Sequence, residues 1–207
     1  MATLADYEAL YDLENDNINK GYYRKSFTYE VGHREINPAW NRMKAKEYFR
    51  SAKMQSKSKD SNKEDIFISG MYPEYYMDSQ HFESGQWLSS NNAKSYEFAM
   101  ETLNSGARDT IQRFTLTPVH FWLKDYLKNF SDMKVLEVGG GTGRFMTFFR
   151  DNYPQMDATL LDLNPFFLQE AGANDRYFRK FFNRQDNRAK NDKVEPSDLK
   201  LVQGQAE

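Results

Sequence analysis

Two carboxylates and a run of glycines hold the densest chemistry in the chain. Glu137 stands two residues before Gly139, the spacing Gly-x-Gly-x-Gly continues through Gly141 and Gly143, and Asp162 follows nineteen residues after the last of these. Glycines between a strand and a helix let the backbone turn sharply and approach a ligand closely. The helix beyond them presents N–H groups with no intrahelical partner. An acid ending the next strand is placed to accept hydrogen bonds from the ribose hydroxyls of a nucleotide cofactor. A glycine-rich turn by itself also suits a plain strand-to-helix connection, so the paired acid at this separation carries the reading.

The identity of the cofactor follows from charge. A dinucleotide fingerprint needs its third glycine at position 144, and that residue is Arg144. A carboxylate at position 137 would repel a pyrophosphate but hold a cationic amino-acid group. S-adenosylmethionine carries an ammonium and a sulfonium, and NAD does not. The expected cofactor is therefore S-adenosylmethionine.

The flanking elements support this placement. Lys134 to Val138 is a short apolar run, RFMTFFRDN after Gly143 is compatible with a helix, and Ala158 to Leu161 forms a second run closed by Asp162. Asn164-Pro165 opens another helix, with Asn as cap and Pro at its first position, and a third run covers Leu199 to Val202. Strands alternating with helices predict a βαβαβ unit around a parallel sheet. Upstream, Leu4, Tyr7, Leu10 and Tyr11 predict a short amphipathic helix with an acidic outer face, ending near Glu14. Further helices are predicted over Pro38–Met54, after the N-cap candidates Ser89-Ser90-Asn91 through Tyr96, Ala99, Met100 and Leu103, and from Arg108 to about Phe130 with a bend or restart at Pro118. In the last, Val119, Trp122, Leu123 and Tyr126 fall on one stripe. Gln55–Asp65 has no apolar residue and reads as a solvated loop. The expected organisation is a helical or irregular extension over 1–65, a helical lid or substrate-shaping region over 66–132, and a nucleotide-binding unit over 133–207.

KVLEVGGGTGRF followed by ATLLDLNPFFL resembles motifs I and II of the class I S-adenosylmethionine-dependent methyltransferases, and LKLVQGQAE resembles their third-strand segment. The likeness spans Lys134 to Glu207. The upstream string PEYYMDSQHFESGQWLSS…YEFAMETLNSGARDTIQRFTL is more loosely similar to a methyltransferase-like group of cyanobacteria and plastid-bearing eukaryotes. The resemblance implies an α/β, Rossmann-like methyltransferase fold with a mainly helical N-terminal extension. It assigns Glu137 to the methionine end of S-adenosylmethionine, Gly139, Gly141 and Gly143 to the floor, and Asp162 to the ribose. Leu163 would pack against adenine, with Gln205 and Ala206 at the adenine edge. Gln205 stands where the family has Asp, and it is either an ordinary loop residue or a ligand whose carbonyl accepts from the adenine amino group.

The family's sheet has seven strands in the order 3-2-1-4-5-7-6, and only three fit between Lys134 and Glu207. The resemblance thus implies truncation after the third strand: an N-terminal fragment, an incomplete gene product or half of a two-chain assembly. Weak or absent transferase activity is the expectation for the chain alone. No catalytic side chain is assigned, since the resemblance puts such residues beyond Glu207. The expected acceptor is a small molecule, with a second copy or a partner chain completing the sheet. A non-catalytic, methyltransferase-like partner subunit is the alternative.

Other constellations are weaker. His33, His81 and His120 lack the spacing of metal ligands, and no metal site is expected. Arg113 either binds the cofactor's carboxylate or pairs with Asp109 four residues away. Residues 175–193 carry a net charge of +4 interleaved with Tyr177, Phe178, Phe181 and Phe182, which fits either RNA binding or a crossover helix with its rings packed on the sheet. The overall net charge of −2 gives no global field to gather nucleic acid. Aromatic residues are 15% of the chain, enough buried ring area to offset few aliphatics. Cysteine is absent, which excludes disulfides, thiolate nucleophiles and Cys-based zinc sites. No apolar run approaches the roughly 18 residues of a membrane span. Five acids precede the first lysine, unlike a signal or transit peptide. An intracellular location follows as the expectation, the cytoplasm first and the plastid by resemblance.

Overall fold

The computed structural model describes residues 4–24, 72–73, 76, 88, 90–104, 107–126, 132–182 and 197–205. The predicted helix at Pro38–Met54 and the loop at Gln55–Asp65 lie outside the described residues. Along the chain run α1 (Leu4–Asn19), α2 (Ser90–Leu103), α3 (Arg108–Phe114), α4 (Leu116–Tyr126), β1 (Lys134–Val138), α5 (Arg144–Asn152), β2 (Asp157–Asp162), α6 (Pro165–Phe182) and β3 (Leu199–Gln203).

The three strands form one parallel sheet in the order β1-β2-β3. The fold is therefore α/β, with helices joining parallel strands as the alternation of patterns predicts. Register aligns Glu137 with Leu160 and Leu160 with Leu201, and Val138 with Leu161 and Leu161 with Val202. Side chains alternate across a strand, so Glu137, Ala158, Leu160 and Asp162 share the face covered by α5 and α6. Ala158 and Leu160 are fully buried there. The opposite face presents Leu136, Val138 and Val202, all exposed.

The upstream helices join the same core. Tyr23, Leu116 and Leu123 cluster with Met146, Phe148, Phe149 and Leu168. The chain leaving α1 is tied to α5 where the Arg24 backbone N–H donates to Asn152 Oδ1 at 2.8 Å. Among the described residues, no helix is long and apolar enough to cross a membrane.

Several helical expectations are corrected. The first helix continues to Asn19 rather than ending near Glu14, and Glu14 is buried instead of lining an acidic outer face. Its carboxylate accepts from Arg113 Nε at 2.5 Å and from the Thr110 hydroxyl at 2.7 Å. A buried carboxylate is tolerable only with such partners, and they lie 96 and 99 residues away. Arg113, only 1% exposed, pairs with Glu14, and Asp109 takes Arg144 as its ion-pair partner while still feeling the charge of Arg113. The restart expected at Pro118 in the helix from Arg108 falls three residues earlier, at Thr115, giving two helices as far as Tyr126, while residues 127–130 lie outside the described residues. Pro118 lacks an N–H and its ring collides with the carbonyl four residues back, which is Phe114. The break falls there, leaving Pro118 in the first turn of α4, where it is tolerated. Leu123 is buried as the stripe requires, but Trp122 is exposed.

Candidate functional site

The glycine-rich turn leaves β1 and enters α5 through backbone that L-residues avoid. Gly139, Gly141 and Gly143 have φ of 67°, 56° and 76°, left-handed values that only glycine adopts without strain. Gly140 is constrained differently: a Cβ there would sit 2.5 Å from Leu160 Cγ. The requirement at Gly140 comes from β2, twenty residues on, and motif spacing gave no sign of it.

Asp162 closes the turn. Its Oδ2 accepts the Gly141 N–H at 2.7 Å and its Oδ1 accepts the Asn164 N–H at 2.8 Å. A carboxylate offers about four lone-pair directions, so capacity remains for hydroxyl donors. Asn164, fully buried, caps α6 as predicted by accepting the N–H groups of Phe166 and Phe167 at 3.0 and 3.3 Å.

Glu137 reaches the first turn of α5, where it accepts the backbone N–H of Met146. Its Oε2 is buried with no hydrogen-bond partner among the described residues. Burial pushes the carboxyl up and the nearby charge of Asp162 pushes it further, against the lowering effect of Met146, to about 7. Two carboxylates thus face one glycine turn on the same side of the sheet, and among the described residues no cation acts on Glu137. The ammonium of a ligand fits that arrangement, and ribose hydroxyls fit the remaining lone pairs of Asp162.

Leu163 is half-buried after β2, and its carbonyl accepts Gln203 Nε2 at 3.1 Å. Gln205 is exposed just past β3, and Ala206 lies outside the described residues. The polar side chain that meets the end of β2 is Gln203, which also donates to the Tyr72 hydroxyl at 3.0 Å. Sequence reading missed both, because nothing local links position 72 to position 203.

Helix α2 also reaches the turn. The buried Thr142 hydroxyl donates to Glu97, and Arg108 pairs with the same carboxylate at 2.6 Å. The Tyr96 ring lies 4.7 Å from the Phe167 ring, centroid to centroid, and its edge is 4.0 Å from where a Gly141 Cβ would be. Periodicity marked Tyr96 as a helix-face residue and gave no hint that it meets the glycine turn.

Elsewhere, His120 sits among rings, 5.6 Å from each of Tyr22 and Phe121. His33 and His81 lie outside the described residues. In the basic-aromatic stretch Phe178 is fully buried, and Arg179 is committed to Asp175 and Asp198. Both suit a crossover helix packed on the sheet; residues 183–193 of that stretch lie outside the described residues. Comparison with protein-family models, with curated proteins and with solved structures found no match.

Proposed function

We propose that this chain is the cofactor-binding part of an S-adenosylmethionine-dependent methyltransferase with a Rossmann-like sheet, acting on a small-molecule acceptor. The observation that carries the reading is the carboxylate pair at the turn: Glu137, whose Oε2 is orphaned among the described residues, and Asp162 flank one glycine-rich turn. Bound there, S-adenosylmethionine would supply an electrophilic methyl group on its sulfonium. Glu137 would hold the ligand's ammonium, and in doing so it would gain a counter-charge. Asp162 would accept ribose hydroxyls with the lone pairs not used by Gly141 and Asn164. The bare backbone at Gly139, Gly141 and Gly143 would let the ligand approach closely, and Leu163 would flank adenine, with Gln205 and Ala206 further along that edge. The protein's contribution is positioning and exclusion of water.

Isothermal titration of the 207-residue chain with S-adenosylhomocysteine, with NAD as control, tests this. Saturable binding of the first and not the second is the expected result. Binding of neither overturns the reading.

One observation favours a second reading, a non-catalytic partner that completes a larger sheet. Among the described residues β1 pairs with β2 alone, and Leu136 and Val138 are 58% and 53% exposed on the open face. An unpaired apolar edge is a template for another strand.

A further inference from the structure

Helix α2 meets the glycine-rich turn through a chain of contacts that no motif predicts. Thr142, in the middle of the turn, donates its hydroxyl to Glu97. Glu97 binds Arg108 at 2.6 Å, and the Arg108 guanidinium lies 5.3 Å from the centre of the Tyr96 ring. Tyr96 in turn touches Phe167 at the start of α6 and reaches toward Gly141. The Glu97 and Arg108 side chains are each only 13% exposed, so their attraction is screened less than that of a surface pair. The ring is thus held from behind by a cation, anchored through a carboxylate to the turn it covers.

We infer that Tyr96 and Glu97 are positioning residues of the cofactor site, Tyr96 as the aromatic wall beside Gly141 and Glu97 as the latch that holds this wall on Thr142. The inference rests on the proposed cofactor reading and adds the residues that control ligand exchange. The site lies between the C-terminal ends of β1 and β2, and α2 covers one side of it. A ligand contacting Gly141 and Asp162 meets the Tyr96 ring next. The Tyr96 hydroxyl is pushed up by burial, with the charge of Asp162 adding to the rise and Arg108 opposing it, which agrees with a ring that lies close to the site acid. Because the ring would touch the ligand only once it is bound, removing the latch acts on dissociation more than on encounter.

The test is the rate of S-adenosylhomocysteine release, measured by surface plasmon resonance for the wild-type chain, Tyr96→Ala, Tyr96→Phe, Glu97→Ala, Thr142→Val and the Glu97→Ala/Thr142→Val double variant. Tyr96→Ala is expected to release the ligand roughly five- to a hundredfold faster, the span found when a ligand loses an aromatic partner, and Tyr96→Phe to stay near wild type. Glu97→Ala and Thr142→Val are expected to speed release by similar factors. The double variant should match Glu97→Ala, because that change already removes the Thr142 contact along with the Arg108 ion pair. Thermal melts without ligand show which variants remain folded. If Tyr96→Ala is unfolded, Glu97→Ala and the double-variant comparison decide. Release rates unchanged in the folded variants, or effects that multiply in the double variant, overturn the latch while leaving the cofactor reading intact. Failure of the wild-type chain to bind S-adenosylhomocysteine removes both.

Discussion

Asp162 accepts the backbone N–H of Gly141 at 2.7 Å across twenty-one residues of chain. The bond joins the end of β2 to the loop leaving β1, and it fixes the turn before any ligand arrives. The same carboxylate holds the Asn164 N–H and so shapes the entry to α6. Asp162 therefore has two roles that a single substitution removes together.

Asp162→Ala is expected to weaken S-adenosylhomocysteine binding by about 1–3 kcal/mol, the penalty for leaving buried donors without an acceptor. It should also lower the unfolding free energy by about 1–2 kcal/mol, because two backbone N–H groups lose their partner. Calorimetric titration and urea unfolding read the two effects separately. A loss of stability with unchanged ligand affinity would reduce Asp162 to a turn-fixing residue.

Glu137 makes stability depend on pH in a predictable direction. Its carboxyl is raised in the folded chain from an ordinary 4.5 to about 7, so between these values the folded state binds more protons than the unfolded one. Stability contributed by the protonated form is complete below about 4.5 and is lost as pH rises through about 7. The loss is on the order of 3 kcal/mol. Glu137→Gln keeps the shape without the charge, and it should be more stable than wild type at pH 8 and flatter between pH 5 and 8. Affinity for S-adenosylhomocysteine should change the opposite way: it rises in wild type from pH 6 to 8 as Glu137 ionises, and it is weak and flat in the variant. Urea melts and titrations across this range check both slopes.

The strands, the turn and the caps were legible because each is local. Val135 and Leu160 announce strands by their neighbours, Gly139 by its position after one, and Asn164 by the proline beside it. Glu137 and Asp162 were legible as candidates from their spacing about the turn, whereas their common face follows from the register of β1 on β2. Contacts between distant segments were not legible. Glu14 looked like an outer-face acid until Arg113 was beside it, and Arg144, read only as the residue where a third glycine is missing, proves to be the partner of Asp109. Burial pushes the Asp109 carboxyl up, but the charge and hydrogen bonds of Arg144, together with the charges of Arg113 and Arg108, outweigh it and leave the group lowered. Gln203, Tyr72 and Glu97 were missed for the same reason: periodicity reports which face a residue lies on, not what that face will meet.

The Glu14–Arg113 pair gives a prediction about the helical region. Both side chains are almost fully buried, at 6% and 1% exposure, and their contact joins α1 to α3. Glu14→Ala leaves a buried guanidinium without its carboxylate and is expected to destabilise the protein by about 3–5 kcal/mol. Replacing both residues, Glu14→Leu with Arg113→Met, removes the unbalanced charge and should recover most of that loss. Urea unfolding of the three proteins decides it. A double variant as unstable as the single would mean that the pair's geometry, rather than its charge balance, holds α1 in place.

The open sheet face predicts self-association that is separable from ligand binding. Leu136 and Val138 are exposed at 58% and 53% on the face opposite Glu137, along the strand that pairs with β2 alone among the described residues. Apolar side chains on an unpaired edge favour addition of another strand, and a charge placed there opposes it. Leu136→Lys is therefore expected to run as a monomer by light scattering at concentrations where the wild-type chain shows a larger mass. Its affinity for S-adenosylhomocysteine should be unchanged, because alternation along β1 points position 136 away from the glycine-rich turn. A wild-type chain that stays monomeric at high concentration would remove the self-pairing form of the second reading. A Leu136→Lys variant that loses ligand affinity would show instead that the two faces of β1 are coupled, with the open edge shaping the site on the other side.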